Sequence, residues 1–332
     1  MSHTEIKDVM IPGGQTRQFA RKFHAPRTRT ILAILLCLLG AARSDAAELK
    51  QKTLQAWEAY VQTANLAMEQ RAAGRSPFLW VDESPDLLRR VRSGELVVSN
   101  LDHADVPSGL IHHWVGAMFL PGVTLDEVNG VFKDYDHYPD FFRARVVKVK
   151  VLEQREDYQK ITTLVVQRAF GVTGAVEADN EVHIIKLDAR RVYSVSNATR
   201  VQEVADYGRP EERLLSEDRG PGYVWRTVSI NRLEQRDGGV YIEMEMIGLS
   251  RGIPMGFGWL IKPLIEHMPR TIMLDTLKDT RNAVTERIER DLRQDQKVAQ
   301  RGGVNDSGLD NQKGSHAAGD QDRERSRENH LQ

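Results

Sequence analysis

Apolar side chains recur along this chain at two different spacings, and the change from one to the other divides it. In ELKQKTLQAWEAYVQTANLAMEQRAAG, residues 48–74, Leu54, Trp57, Val61, Ala64 and Met68 fall three or four apart, the spacing of one helical stripe. Gly74 and Pro77 close it. Its polar side mixes acids and bases instead of collecting Lys and Arg, so the stripe predicts a helix docked on a main domain ahead of a membrane-surface or partner helix. From Ile111 the period shortens. IHHWVGAMFLPG is an apolar run closed by a Pro-Gly turn signal, and Val147, Val149 and Val151 then alternate with Lys148 and Lys150, which predicts one buried and one wet face. Further strand-like runs cover Lys160–Ala169, Val176–Leu187, Arg191–Val201, Tyr223–Leu233 and Val240–Ser250. Arg236-Asp237-Gly238-Gly239 between the last two is a hairpin signal. No crossover helix separates these runs, so the sheet is predicted antiparallel.

Two further helices are written into the strand-rich half. Thr124-Leu125-Asp126-Glu127 has the spacing of a capping box, and Val128, Val131, Phe132 and Tyr135 follow on one face. That helix runs into DYDHYPDFF, residues 134–142, where Pro139 is expected to stop it by disfavouring helical geometry at Tyr138. The stretch could be a reaction centre, but its spacing favours a hydrophobic corner: Tyr135, Phe141 and Phe142 turn inward, while Asp134, Asp136 and Asp140 most easily face water. TIMLDTLKDTRNAVTERIER, residues 271–290, carries Met273, Leu277, Thr280, Val284 and Ile288 along a stripe and predicts a long C-terminal helix. Past Asp291 the chain has no aromatic residue and few aliphatics, too little apolar surface to offset its ordering entropy, so 291–332 is expected to be disordered.

The order of strand, short helix, antiparallel run and long C-terminal helix resembles the START-like (SRPBCC) superfamily, which includes polyketide cyclase/dehydrase, coenzyme-Q-binding and lipid-transfer proteins. The segment TLDEVNGVFKDYDHYPDFFRARVVKVKVLE carries the resemblance most directly, and the likeness spans roughly residues 108–290. It implies an α+β helix-grip fold, a curved antiparallel sheet around a long C-terminal helix, to which the stripe at 48–74 adds an extra N-terminal helix. It also implies a hydrophobic pocket for a lipid, quinone or polyketide-like molecule, with no cofactor. Residues 47–107, read as an N-terminal helical extension, and an insertion at 201–222 fall outside it.

Ahead of these elements, Arg27 and Arg29 precede an unbroken apolar run from Ile31 to Ala42, and Ser44-Asp45-Ala46 suits a signal-peptidase cut near Ala46 or Ala47. About a dozen apolar residues are too few to span a bilayer, which takes roughly twenty. Residues 1–46 are therefore read as a leader with a cleaved secretory signal, which places the protein in the periplasm or outside the cell, and a start downstream of Met1 is left open. Cys37, the single cysteine, lies inside that run, so the mature chain is expected to hold no disulfide or thiolate. Of 46 Lys/Arg and 47 Asp/Glu, the leader holds seven and three, which leaves the rest at a net −5 and gives no electrostatic case for nucleic acid. The 40% hydrophobic content is enough for a full-sized core.

Candidate chemistry is sparse. His112 and His113 are adjacent on a strand, point to opposite faces and cannot share an ion, and no HExxH or EF-hand loop is present, so no metal is expected. Leu249-Ser250-Arg251-Gly252 lacks the leading glycine of a nucleophile elbow. Gly256-Phe257-Gly258 lacks the third glycine of a dinucleotide fingerprint. On the strands, Val224, Val228 and Ile230 share a face with Arg226, and Ile242, Met244 and Met246 share one that leaves Glu243 and Glu245 outside. If both apolar faces line the pocket, Arg226 is a charge placed to meet a ligand carboxylate, phosphate or quinone oxygen; the alternatives are an Arg paired with a carboxylate, or a register slipped by one. Met244, Met246 and Trp259 suggest an adaptable apolar lining, and Trp114, Met118, Tyr193 and Asn197 join it on strand alternation. The partner expected is a hydrophobic small molecule or lipid, with peripheral membrane contact and oligomeric state left open. Two other readings stay open. One is a cyclase or hydrolase using Asp134 or Glu177 with His183 for proton transfer. The other is an envelope interaction module recruiting a partner through residues 48–74 or 201–222.

Overall fold

The structure is a computed structural model that describes residues 47–169, 172–220, 223–252, 268–294 and 296–297. The leader, its signal segment, Trp259 and residues 298–332 lie outside the described residues. Helix α1 (Gln51–Ala72) leads through a 3-10 turn (Trp80–Glu83) to α2 (Pro85–Arg92), whose N-terminus is capped by the Ser84 hydroxyl. Strands β1 (Val97–Val106) and β2 (Gly109–Pro121) precede α3 (Leu125–Lys133). Strands β3 (Val146–Gln154), β4 (Tyr158–Ala169), β5 (Val172–Lys186), β6 (Arg191–Ala205), β7 (Arg226–Arg236) and β8 (Gly239–Arg251) follow, and helix α4 covers 268–294.

The strands form one sheet in the order β1-β2-β8-β7-β6-β5-β4-β3, every pair antiparallel. The β7–β8 hairpin turns on Asp237 and Gly238, both at positive φ (55° and 78°), the two left-handed positions that let a tight turn match strand twist. On one face, Trp114, Met118, Ile242, Met244 and Leu233 pack against Leu125, Val128 and Val131 of α3 and Met273, Leu277 and Val284 of α4. Here α4 presses on the sheet at Gly116, where an added Cβ would come within 2.7 Å of Met273 Cγ. On the other face, Ile111, Val115, Phe119, Ile230, Tyr241 and Ile247 pack against Trp57 and Met68 of α1 and the Phe78–Val81 segment. The result is an α+β helix-grip fold whose second face is covered as well.

The capping box at Thr124 and Glu127 is present in both directions. Three expectations need correction. Pro139 does not end a continuous helix: α3 stops at Lys133, a 3-10 turn covers Tyr135–His137, and Pro139 sits in the first turn of a short helix, Tyr138–Phe141, where a missing N–H costs nothing. Strand β3 does not have one dry face: it is an edge strand with Val147 and Val151 both exposed, bent by irregularities on either side of its centre. Residues 97–106, within the stretch expected to be helical, form β1 at the far edge of the sheet. The 201–222 segment continues β6 to Ala205 and folds back through short pairings, Arg213–Leu214 with β6 and Arg219–Gly220 with Ala47–Glu48.

Candidate functional site

Between the α4 face of the sheet, α3 and α4 lies a cavity of about 260 Å³. Phe132, Tyr138, Phe142, Ile184, Val192, Leu233, Met244, Met246 and Met273 give it an apolar wall. Its floor is different in kind. Ser194 and Ser196 of β6 stand directly opposite Asn231 and Ser229 of β7, so cross-strand pairing sets three hydroxyls and an amide into one polar tile. Only Asn231 Nδ2 to Ser194 Oγ, at 3.4 Å, links members of the tile.

Two polar groups border the cavity with unmet hydrogen-bond capacity. Gln159 of β4 is 1% exposed and accepts from the Tyr135 hydroxyl, but its Nε2 has no partner among the described residues. Thr280 of α4 is fully buried, and its Oγ1 has none either. A buried donor or acceptor left unmet costs about 1–3 kcal/mol, so these atoms mark where a ligand would repay the molecule. Burial pushes the Tyr135 phenol above its usual range, and burial with the nearby Tyr135 and Asp134 does the same to Tyr138; both stay protonated. Tyr138 donates to the Phe132 carbonyl at 2.9 Å. Lys133 at the rim is the one cationic side chain of the lining among the described residues, and its Nζ lies 3.5 Å from the Glu156 carbonyl. Glu245 borders the cavity from β8, yet its carboxylate is on the other face of the sheet with His113 and Arg232.

Ion pairs clamp the helices that form the walls. Arg287 of α4 reaches Asp134 at 2.9 Å and the Gly130 carbonyl at 3.2 Å; Arg145 reaches Asp279 and the Ile272 carbonyl, both at 2.9 Å.

Of the residues singled out from the sequence, Met244 and Met246 border the cavity. Trp114 and Met118 lie on the same face but in its packed core, away from the void. Tyr193, Asn197 and Arg226 are on the opposite face: Tyr193 packs under α1, Asn197 is exposed, and Arg226 pairs with Asp218 at 2.7 Å. The premise that Val228 and Ile230 face the ligand is thus reversed, and with it Glu243 and Glu245 are buried, not outside. Both faces of β7 are covered, so apolar residues no longer identify the cavity side. Asp134, Glu177 and His183 do not line the cavity: Asp134 serves Arg287, Glu177 pairs with Arg200 at 3.0 Å, and His183 meets the Tyr158 ring in a tilted contact. Gln159, Ser194, Ser196, Ser229, Asn231 and Thr280 were missed, although small polar residues alternating with Val and Ile on β6 and β7 were the available signal. Among the described residues no group of three His, Cys, Asp or Glu could hold a metal ion.

No protein-family model matches the chain, and no curated protein matches it. Among solved structures it is similar to a STAR-related lipid transfer protein from Xanthomonas axonopodis, at 15% identity over 57% of this chain and 98% of that one, with a TM-score of 0.36. Human StAR-related lipid transfer protein 5 gives 12% identity, 67% and 98% coverage and a TM-score of 0.36. The Zhui aromatase/cyclase from a Streptomyces species gives 14%, 54% and 96%, with a TM-score of 0.37. Likeness at that level carries no argument about function, and the fold stands on the strand order and helix placement.

Proposed function

We propose that this protein binds a compact, uncharged, largely apolar molecule in the cavity between its sheet and α4, and that it does so as an exported carrier. The observation that carries the reading is the pairing of an apolar wall with buried, unpartnered neutral polar atoms, Gln159 Nε2 and Thr280 Oγ1. Ligand cavities typically measure about 300–1,000 Å³, so a void of about 260 Å³ suits a small ring system or short chain better than a two-tailed lipid. Desolvation supplies the affinity, roughly 0.8 kcal/mol per buried methylene. The tile of Ser194, Ser196, Ser229 and Asn231 supplies orientation by meeting ligand hydroxyl or carbonyl oxygens. With the Glu245 carboxylate turned away, an anionic or cationic ligand would find no full counter-charge among the described residues in the interior of the cavity. Export rests on the apolar run from Ile31 to Ala42 and the small residues after it.

Organic extraction of the protein purified from its own host, followed by mass spectrometry, tests the reading. A neutral compound recovered in near-stoichiometric amount is the expected outcome. A well-folded sample that yields an empty extract and takes up no hydroxylated aromatic probe would overturn it.

A further inference from the structure

The polar atoms around the cavity between the sheet and α4 differ in what they ask of a ligand. A serine or threonine hydroxyl donates or accepts according to how it rotates, so Ser194, Ser196, Ser229 and Thr280 leave the sign of a ligand group open. A side-chain amide held at one end does not. Gln159 Oε1 accepts from the Tyr135 hydroxyl, which leaves Nε2 as the atom without a partner among the described residues. Turning the amide over would set Nε2 against the phenol oxygen and deprive the buried phenol hydrogen of the acceptor it has now. Burial pushes the Tyr135 phenol up, so it keeps the hydrogen that holds the amide in this sense. The unmet atom of Gln159 is therefore a donor, buried at 1% exposure in the cavity lining.

Strand register sets where that donor stands relative to the serines. Gln159 of β4 is opposite Val182 of β5, Val182 is opposite Ser196 of β6, and Ser196 is opposite Ser229 of β7, so the four form one row across the sheet. At roughly 4.8 Å between neighbouring strands, Gln159 is about 10 Å from Ser196, with Val182 between them. The row reads as a donor, an apolar step and two hydroxyls. Two other hydroxyls of the lining are already engaged, Tyr138 with the Phe132 carbonyl at 2.9 Å and Thr276 with the Ile272 carbonyl at 2.8 Å.

We propose that Gln159 selects a ligand with a carbonyl oxygen, such as a ketone, ester or lactone, by donating to it from Nε2, and that Tyr135 is a positioning residue that keeps the amide turned that way. This rests on the reading of the cavity as a binding site and names the class of compound it takes. A carbonyl oxygen at Nε2 meets the buried donor, a hydrocarbon edge leaves it unmet, and a ligand N–H sets hydrogen against hydrogen. An ionised oxygen would bring a charge among neutral groups. The apolar body of the ligand then covers Val182, and a second oxygen at its far end falls to Ser196 or Ser229.

Titration calorimetry on the full chain with indanone, indane and indole tests this. These bicycles are close in size and offer an acceptor oxygen, no polar atom and a donor N–H. The native chain is expected to bind indanone about tenfold more tightly than indane. Gln159→Met, similar in length but without the donor, should bring indanone down to the indane value and leave indane unchanged. Tyr135→Phe frees the amide to turn over, so indanone should weaken while indole, its N–H now meeting Oε1, strengthens by about threefold. A cavity that had merely loosened would weaken all three together, and that result would overturn the role of Tyr135. Equal binding of indanone and indane by the native chain, or a preference for indanone that survives Gln159→Met, would overturn the selection by Gln159 while the cavity stays a binding site. Binding of none of the three would overturn both. The side-chain amide protons of Gln159 give a readout that needs no variant: a downfield NMR shift with indanone but not with indane supports the assignment, and the same response to both refutes it.

Discussion

On the face gripped by α4, the polar groups that border the ligand cavity are neutral and incompletely bonded: three serines, Asn231, Gln159 and Thr280. On the face under α1 they are built around the Arg232–Glu243 and Arg232–Glu245 ion pairs and bonded end to end, from Asp102 through Tyr60, His113, Glu245 and Arg232 to Glu243. The cost of burial explains the difference. A neutral group left unmet costs about 1–3 kcal/mol, which an empty site can tolerate, whereas an unpaired buried ion costs several kcal/mol and cannot wait for a ligand. Neutral polar atoms can therefore be kept in reserve for binding, while buried charges must be committed to the fold. Each face can be challenged with substitutions chosen to invert its role.

The largest effect is expected from Arg232→Met. It leaves Glu243 and Glu245 buried beside one another with their counter-charge gone, and breaking such a pair costs about 3–5 kcal/mol. Urea unfolding should show this as a lower midpoint at unchanged slope. A loss below about 1 kcal/mol would mean the face under α1 is wetter than described, and the contrast would fail.

Acid should act on the same face. Glu245 has its carboxyl depressed to about 2 in the folded chain from an ordinary 4.5, so it contributes stability that is fully present above the ordinary value and is lost as pH falls through about 2. The amount is roughly 3 kcal/mol as an upper figure. Glu245→Gln should lose stability at neutral pH and show a correspondingly shallower decline between pH ~4.5 and ~2 in stability-against-pH curves. An unchanged acid limb would show that His113 and Arg232 do not hold this carboxylate.

The sequence made the scaffold readable because local signals and global fold agree there. The Thr124–Glu127 box caps α3, the Asp237-Gly238 turn closes β7 onto β8, and the Met273–Leu277–Thr280–Val284 stripe faces the sheet. Facing was where reading stopped. On β7, alternation alone assigns Val228 and Ile230 to the ligand side because a half-buried sheet hides its apolar residues, but α1 buries the second face, so both sides of that strand are covered. The same confusion put Arg226 in the pocket and Glu243 in solvent. Gln159 and Thr280 carry no motif at all; their meaning comes from three-dimensional placement against a void. The coverage of the second face was hinted at by the Trp57 and Met68 stripe, whose depth no spacing rule reports.

The smallest change in stability, and the cleanest contrast with Arg232→Met, is expected from Ser229→Ala, three positions away on the same strand and on the other face. The Ser229 hydroxyl borders the cavity and has no hydrogen-bond partner among the described residues. Removing it takes away no internal bond and Ser229 is only half-buried, so unfolding should shift by no more than about 0.5 kcal/mol in either direction. Binding should respond instead. If the tile reads a ligand oxygen, losing one neutral hydrogen bond worth about 0.5–1.5 kcal/mol lowers affinity for a hydroxylated aromatic probe roughly two- to tenfold. An unoxygenated analogue of the same ring should bind the variant as well as it binds the native chain. Titration calorimetry with both probes separates the outcomes. Equal losses for the two would mean that Ser229→Ala has altered the shape of the cavity, and the assignment of neutral polar atoms to binding would then fail on the face where it matters.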